Sequence, residues 1–307
     1  MTLFLQNLVN ALQWGSFYAL IALGYSMVYS ILMLFNFAHG DIFMVGAYIG
    51  FGIATFLIAL ASSGVVPLPN WILLVLTILF SMFLTALVGV IVERVGYRPL
   101  RAAPRASAAI TGLMIGIILE TSNLALLGAQ RIRFPSLMET TTYNLGGVFV
   151  TNKKIMIVFV SLALALALHL FVRKTKWGMA MRAMSFDYLV VPLMGVSINT
   201  IAALTFAIGS ALAAAAGILF GLAYPVLDPY MGILFGWKAF VAAILGGRGS
   251  IMGATLAGFL LGFIEIFVTM IFPSTLRDFI AYSIVLLILT FRPHGFFGEP
   301  YSARLRL

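Results

Sequence analysis

The chain has 307 residues, of which 63% are hydrophobic and 9% are charged, and its formal net charge is +9. A mean hydropathy of +1.12 excludes a soluble protein, because so few charged residues do not cover the surface of a soluble fold of this size. The basic residues cluster in short loops between apolar runs, which excludes nucleic-acid binding, and the absence of cysteine excludes disulfides and cysteine metal sites.

Long apolar segments follow one another along the whole chain, and several exceed the ~20 residues that cross a bilayer core. They predict an all-α, polytopic integral membrane protein. Some segments are expected to be broken or re-entrant, so that eight to ten crossings are predicted. The segments are about 8–35, 41–62, 70–92, 107–128, 154–172, 200–222, 229–247, 250–272 and 277–292.

The first polar interruption is "LMLFNFAHGDIFMVG", residues 32–46, which contains Asn36, His39, Gly40 and Asp41. Asn36 and Asp41 can cap two helix ends while Gly40 lets the chain turn. Alternatively, the stretch is a broken helix that lines a cavity, since irregular backbone at membrane depth is tolerated there. Either interpretation places it near the cytoplasmic face, between the first two crossings.

The basic residues predict the orientation of the chain. Loops 93–106 and 173–199, Arg248 and the C-terminal tail together hold twelve lysines and arginines, whereas the opposite side holds five. Cytoplasmic loops carry the excess. The C-terminus is therefore expected in the cytoplasm and, with nine crossings, the N-terminus outside.

Loop 173–199 is too long for a tight connection, and its first half is basic. The following "GMAMRAMSFDYLVVPLMGVS" is typical of an amphipathic helix that ends at a glycine. Such a helix lies on the lipid surface or docks into a groove of a cytoplasmic partner, and its medium length and terminal glycine favour docking.

Three charged residues lie well inside apolar segments, away from the segment ends: Glu120, Lys238 and Glu265. A charge at the bilayer centre costs about 2.5–3.5 kcal/mol on insertion scales, so these side chains are expected to face a partner or a water-filled cavity. We predict that Lys238 pairs with Glu265 or Glu120, and a structural ion pair is favoured over a group that contacts substrate.

No catalytic constellation is found in the sequence. The three histidines are scattered, no "GxSxG" elbow is present, and no "GxxxxGK[ST]" motif offers ATP binding by that route. The chain is therefore predicted not to be an enzyme, with no cofactor and no metal.

The residues do match a known family. "GSFYALIALGYSMVYSILMLFNFAHGDIFMVGAY" (15–48), "RAMSFDYLVVPLMGVSI" (182–198) and "GWKAFVAAILGGRGSIMGATLAGFLLGFIE" (236–265) resemble the LivH-type permease of branched-chain amino acid ABC importers. The resemblance covers essentially the whole chain and implies one permease domain over 1–307, in the cytoplasmic (inner) membrane.

The resemblance also implies partners. These are a second permease subunit (LivM-like) or a second copy, two cytoplasmic ABC ATPases, a periplasmic or extracellular substrate-binding protein, and a small amino acid as substrate. Loop 173–199 would be the coupling segment that meets the ATPase, with Arg182, Ala183, Asp187 and Gly195 as its candidate residues. In this loop the chain departs from the general importer consensus, whose Glu-Ala-Ala would fall at Leu189, Val190 and Val191.

Transport by alternating access is the function expected from these features. We predict that "NFAHGD" packs beside "GGRGS", with Gly246, Gly247, Gly249 and Ser250, as part of an inner gate. The alternatives are a urea or short-chain amide ABC permease and a stand-alone, ion-coupled secondary transporter, for which Glu120 and Glu265 offer carboxylates. A structural membrane anchor would not need three buried charges.

Overall fold

A computed structural model describes residues 2–64, 68–186, 191–247 and 249–298. In this part of the chain, eight helices are long and apolar enough to cross a membrane. The α-helices are α1 (Thr2–Leu32), α2 (His39–Ser62), α3 (Asn70–Val92), α4 (Arg105–Leu127), α5 (Asn152–Lys174), α6 (Lys176–Phe186), α7 (Ile198–Ala223), α8 (Met231–Gly246), α9 (Ile251–Ile271) and α10 (Arg277–Phe291).

Each of the nine predicted apolar segments forms a helix, and the all-α polytopic prediction is confirmed. Helix α8 differs from the others because it has 16 residues. At a rise of 1.5 Å per residue it is about 24 Å long, shorter than the ~30 Å hydrocarbon core.

The helices form a buried centre and an apolar rim. In an 18-residue apolar window of each span, 83% of the residues are buried in α1 and 72% are buried in α7. In the span Ser274–Phe291, which contains α10, 11% are buried. The outward faces of α3, α4, α5 and α10 carry exposed leucine, isoleucine and phenylalanine side chains. Such a rim suits contact with lipid, because lipid tails solvate apolar side chains as the protein interior does.

Small residues let the central helices approach closely. A Cβ built on Gly262 of α9 would lie 2.6 Å from the Cα of Gly15 of α1, and one built on Gly258 would lie 2.5 Å from the nitrogen of Ala19. Side chains larger than hydrogen therefore do not fit at these two glycines without a shift of the helices.

The chain turns back into the bundle between α1 and α2. Helix α1 ends at Leu32, Met33 has a positive φ of 54°, and α2 begins at His39. The His39 ring packs on Gly24, eight residues before the end of α1, and lies against Gly209 near the middle of α7. Helix α2 thus begins about 12 Å above the end of α1, at mid-depth of the bundle.

Loop 173–199 contains two helical pieces rather than the single helix predicted. Helix α6 ends at Phe186, and a 3₁₀ turn covers Val191–Met194. Gly195 ends the second piece, because its φ of +78° is left-handed and cannot continue a right-handed turn. Asp187 lies outside the described residues.

On the other side of the bundle, the loop after α4 contains a β-hairpin that the apolar pattern did not predict. Strand β1 (Thr142–Leu145) pairs antiparallel with β2 (Val148–Thr151) across Gly146 and Gly147, both with positive φ. The Gln6 side chain exchanges two hydrogen bonds with the backbone of Phe149. These bonds place the N-terminus of α1 on the hairpin side.

Candidate functional site

A buried charge cluster joins four helices. Lys238 Nζ of α8 lies 2.9 Å from Glu265 Oε1 of α9 and 2.8 Å from Asp278 Oδ1 of α10. Tyr18 of α1 donates a 2.8 Å hydrogen bond to the second Glu265 oxygen, and Arg277 lies 3.1 Å from Asp278.

This cluster is balanced, with two cations and two carboxylates. Lys238 and Glu265 are 1% and 2% exposed. Because the carboxylates have close partners, the cluster is suited to fixing helix register rather than to exchanging ligands. The structure thus pairs Lys238 with Glu265 rather than Glu120. Asp278 and Arg277 were not predicted as members of the cluster, because they lie at the start of the last apolar segment and the sequence does not show that α10 packs near Lys238.

The "NFAHGD" segment is held in place by aromatic residues. Tyr97, at the end of the α3 crossing, donates a 3.0 Å hydrogen bond to Asn36 Oδ1. The Tyr25 and His39 rings meet edge to face with centroids 4.8 Å apart. Both Asn36 and His39 are 1% exposed. Asn36 therefore anchors the returning chain to α3, and His39 fills the space that Gly24 leaves.

Two helices begin side by side at this point. A Cβ built on Gly40 of α2 would lie 2.6 Å from the Cα of Gly236 in α8, so the backbones of α2 and α8 touch. The structure provides no side-chain cap for the N-terminus of either helix, at Ala38 or at Tyr230. The His39 amide donates to the Asn36 carbonyl at 3.0 Å, and the Tyr230 amide donates to Asp228 Oδ1 at 2.9 Å. Both starts nevertheless present the positive ends of helix dipoles.

Asp41 lies between these two helix starts and α4. It is 8% exposed, and its Oδ1 has no hydrogen-bond partner among the described residues. A Cβ on Gly232 would lie 2.6 Å from that oxygen, and a Cβ on Gly116 would lie 3.3 Å from Asp41 Cγ. The two glycines make room for the carboxylate.

A cleft of about 290 Å³ opens beside Asp41. We call it the α2–α8 cleft. Its charged lining residues are Asp41 and Glu120. Its floor includes Gly40, Gly232 and Gly236, and aromatic and aliphatic side chains form the rest of the wall. Its remaining lining residues are Tyr25, Phe37, Leu113, Met114, Ile117, Ile233, Trp237 and Phe240.

The "GGRGS" segment lies at the far end of α8. Gly246 and Gly247 pack on Gly253 and on the C-terminal segment, where the Phe297 amide donates to the Gly246 carbonyl at 3.1 Å. Gly249 has a φ of +88°, and Ser250 caps α9 by accepting from the Gly253 amide at 3.0 Å.

The predicted contact between "GGRGS" and "NFAHGD" is therefore wrong. The latter packs on Gly232 and Gly236. Phe37 of the same motif packs on Trp237 and Phe240, with ring centroids 6.2 and 5.3 Å apart. The six residues from Phe240 to Gly246 still separate the two motifs by about 9 Å of helix. Arg248 lies outside the described residues.

The candidate coupling residues lie on and after α6. Arg182 is exposed and donates to the Val172 carbonyl, Ala183 is half-buried, and Gly195 is exposed with a φ of +78°. Met181 and Met184 anchor α6 in the core. Large apolar side chains remain exposed on the same segment: Trp177, Met179, Leu193 and Met194.

Comparison with known proteins gives consistent matches along the chain. Residues 7–289 match the profile of a family described as the permease component of the branched-chain amino acid transport system. The chain is 40% identical to the high-affinity branched-chain amino acid transport system permease protein BraD of Pseudomonas aeruginosa, over 97% of this chain and 96% of BraD. It is 36% identical to the permease protein LivH of Escherichia coli K12, over 97% and 96% of the two chains.

A more distant relative is the probable branched-chain amino acid transport permease protein LivH of Methanocaldococcus jannaschii. The two are 28% identical over 98% of this chain and 94% of that protein. The similarity therefore extends across both broken helix starts and the whole helix bundle.

Proposed function

The chain belongs to the permease-component family of branched-chain amino acid transport systems, and from this premise we propose how it acts. It is a multi-pass membrane permease rather than an enzyme. We infer that it is the membrane-spanning subunit of an ABC importer that moves branched-chain or other hydrophobic amino acids across the cytoplasmic membrane. The observation that carries the proposal is the meeting of two broken helix starts at mid-depth, beside the α2–α8 cleft.

Broken helices at mid-depth support a transport path. Transporters place substrate sites where discontinuous helices expose backbone groups in the interior of the membrane. Helices α2 and α8 both begin there, and their glycine contacts keep their backbones close. We propose that the α2–α8 cleft is the part of the path contributed by this chain, with Gly40 and Asp41 lining it and Asn36 and His39 holding its wall.

A second permease subunit would complete the path. Several residues that line the cleft are about half exposed, including Met114, Ile233 and Trp237, so one side of the cleft is open. The partner is either a LivM-like subunit or a second copy. Gly246 ends α8 about 15 Å from Gly236, and it would belong, with the residues up to Ser250, to the cytoplasmic end of the path.

The segment from α6 to Gly195 is proposed as the coupling segment. Its exposed Trp177, Met179, Leu193 and Met194 form an apolar surface next to basic residues, which suits docking on a cytoplasmic ATPase. Two ATPases would drive alternating access, in which closure of the ATPases shifts the segment and switches the path. A binding protein outside would deliver the amino acid.

The orientation proposed from the basic residues agrees with the helix order. Helix α1 starts on the hairpin side, and the C-terminal residues 295–298 pack on Gly247 at the opposite end. We propose that the hairpin side is external and that the C-terminus is cytoplasmic.

Reconstitution tests this function. The chain, a second permease subunit, two ATPases and a binding protein are placed in proteoliposomes, and uptake of labelled leucine is measured with and without ATP. We expect uptake that requires ATP and every subunit. Uptake by the chain alone, driven by an ion gradient, would instead show a secondary transporter.

A further inference from the structure

We propose that Asp41 and Glu120 form a binding site for the ammonium group of the transported amino acid, inside the α2–α8 cleft. This inference rests on the transport function proposed above. It assigns to the permease itself a point of contact with the charged end of its substrate.

Asp41 is buried yet incompletely paired. It is 8% exposed, and its Oδ1 has no hydrogen-bond partner among the described residues. An unpaired carboxylate in the membrane interior is costly and marks a functional site. The glycines at 116 and 232, where a Cβ would meet the Asp41 carboxyl, show that this space is fitted to the side chain.

The two carboxylates of the charge cluster at Lys238 have nearby cations, in contrast to Asp41. There, Glu265 and Asp278 are matched by Lys238 and Arg277 at 2.8–3.8 Å. No lysine, arginine or histidine lines the α2–α8 cleft in the described part of the chain. The positive ends of the two helix dipoles favour negative charge near Asp41, which offsets part of the cost of burying the carboxylate without a side-chain cation.

Glu120 supplies a second carboxylate on the same cleft. It is partly exposed and lies four residues after Gly116, so both face Asp41 from one side of α4. Tyr25, Trp237 and Phe240 add aromatic rings, which attract cations. Two acids and an aromatic wall are complementary to an ammonium group attached to an apolar side chain.

The site should bind weakly, because a transported solute must also leave. Its test uses the complete permease complex without the binding protein. In the Met114→Cys variant, a thiol in the cleft is labelled with a maleimide; the natural chain has no cysteine. The probes are 3-methylbutylamine, which is leucine without its carboxylate, and 4-methylpentanoate, which is leucine without its amine.

We expect the amine to slow labelling of Met114→Cys and the acid to leave it unchanged. Adding Asp41→Asn should weaken the protection by the amine about tenfold, the loss typical of one charged hydrogen bond. Glu120→Gln should weaken it less, and it keeps the test valid should Asp41→Asn fail to assemble. Glu139→Gln removes an exposed carboxylate that does not line the cleft, and it should leave the protection by the amine unchanged.

Three results would overturn the proposal: equal protection by the acid and the amine, no protection by the amine, or full protection after both substitutions. Leucine uptake by the same Met114→Cys complex tests the transport function separately from the ammonium site. ATP-dependent uptake without protection by the amine refutes the ammonium site alone. Protection by the amine without any ATP-dependent uptake refutes the transport function instead.

Discussion

At the scale of single residues, the buried charged groups near Lys238 have partners, whereas one carboxylate oxygen of Asp41 has none among the described residues. Lys238 and Glu265 have close partners of opposite charge, as three intramembrane charges in the sequence led us to expect. The sequence could not show that Asp278 completes the set, because that residue is 40 positions away and begins another helix. Nor could it show that Asp41 Oδ1 lacks a hydrogen-bond partner among the described residues, since this depends on how α2, α4 and α8 meet.

Removing the Lys238 ammonium should destabilise the protein. Lys238→Met leaves Glu265 buried with one hydrogen bond from Tyr18 and without its closest cation, which should cost about 3–5 kcal/mol. Thermal unfolding of the purified protein measures the change. The double variant Lys238→Met with Glu265→Gln should recover part of the loss. Exposed Lys176→Met is the control, and an equal loss there would contradict the assignment.

The packing of His39 on Gly24 predicts a compensating pair. A Cβ on Gly24 would lie 2.5 Å from His39 Cε1, so Gly24→Ala should destabilise the fold by about 1–3 kcal/mol. In the background of His39→Ala, the cost of Gly24→Ala should fall by more than half, because only the Gly209 carbonyl oxygen, 3.1 Å from the added Cβ, remains close. A double-mutant cycle read by thermal unfolding checks this, and strict additivity of the two changes would refute the contact.

At the scale of elements, apolar runs predicted every long helix because a lipid-facing or core-facing helix needs them. They also predicted that the chain breaks near Gly40. They could not predict the depth of the break, which follows from the fit of His39 between Gly24 and Gly209. The prediction of one amphipathic helix that ends at a glycine was wrong in its C-terminal part, where Val191–Met194 form a 3₁₀ turn before Gly195.

The coupling segment predicts a separation of ATP hydrolysis from transport. Gly195 is exposed, has a φ of +78°, and a Cβ there would meet no atom within 4 Å. Gly195→Trp adds bulk on the surface that is proposed to meet the ATPase, so uptake should fall about tenfold while hydrolysis continues. Gly195→Ala introduces the same backbone strain with little bulk and is the control. Normal uptake in Gly195→Trp would refute the coupling role.

At the scale of the whole molecule, the central claim is that the α2–α8 cleft is part of the transport path. The bundle has a lipid-suited rim, a buried centre and a cleft where two helices start at mid-depth. A path must contact water and must change its access during the cycle, whereas a groove on the rim would contact lipid in every state.

The most direct test is the reactivity of a single cysteine at Ile233, which lines the cleft and is 50% exposed. In the assembled importer, Ile233→Cys should react with a water-soluble thiol reagent, and its rate should differ between the ATP-free state and the state trapped with ATP and vanadate. Phe279→Cys, on the outer face of α10, should stay unreactive in both. If Ile233→Cys is as unreactive as Phe279→Cys in both states, the cleft faces lipid and is not the path.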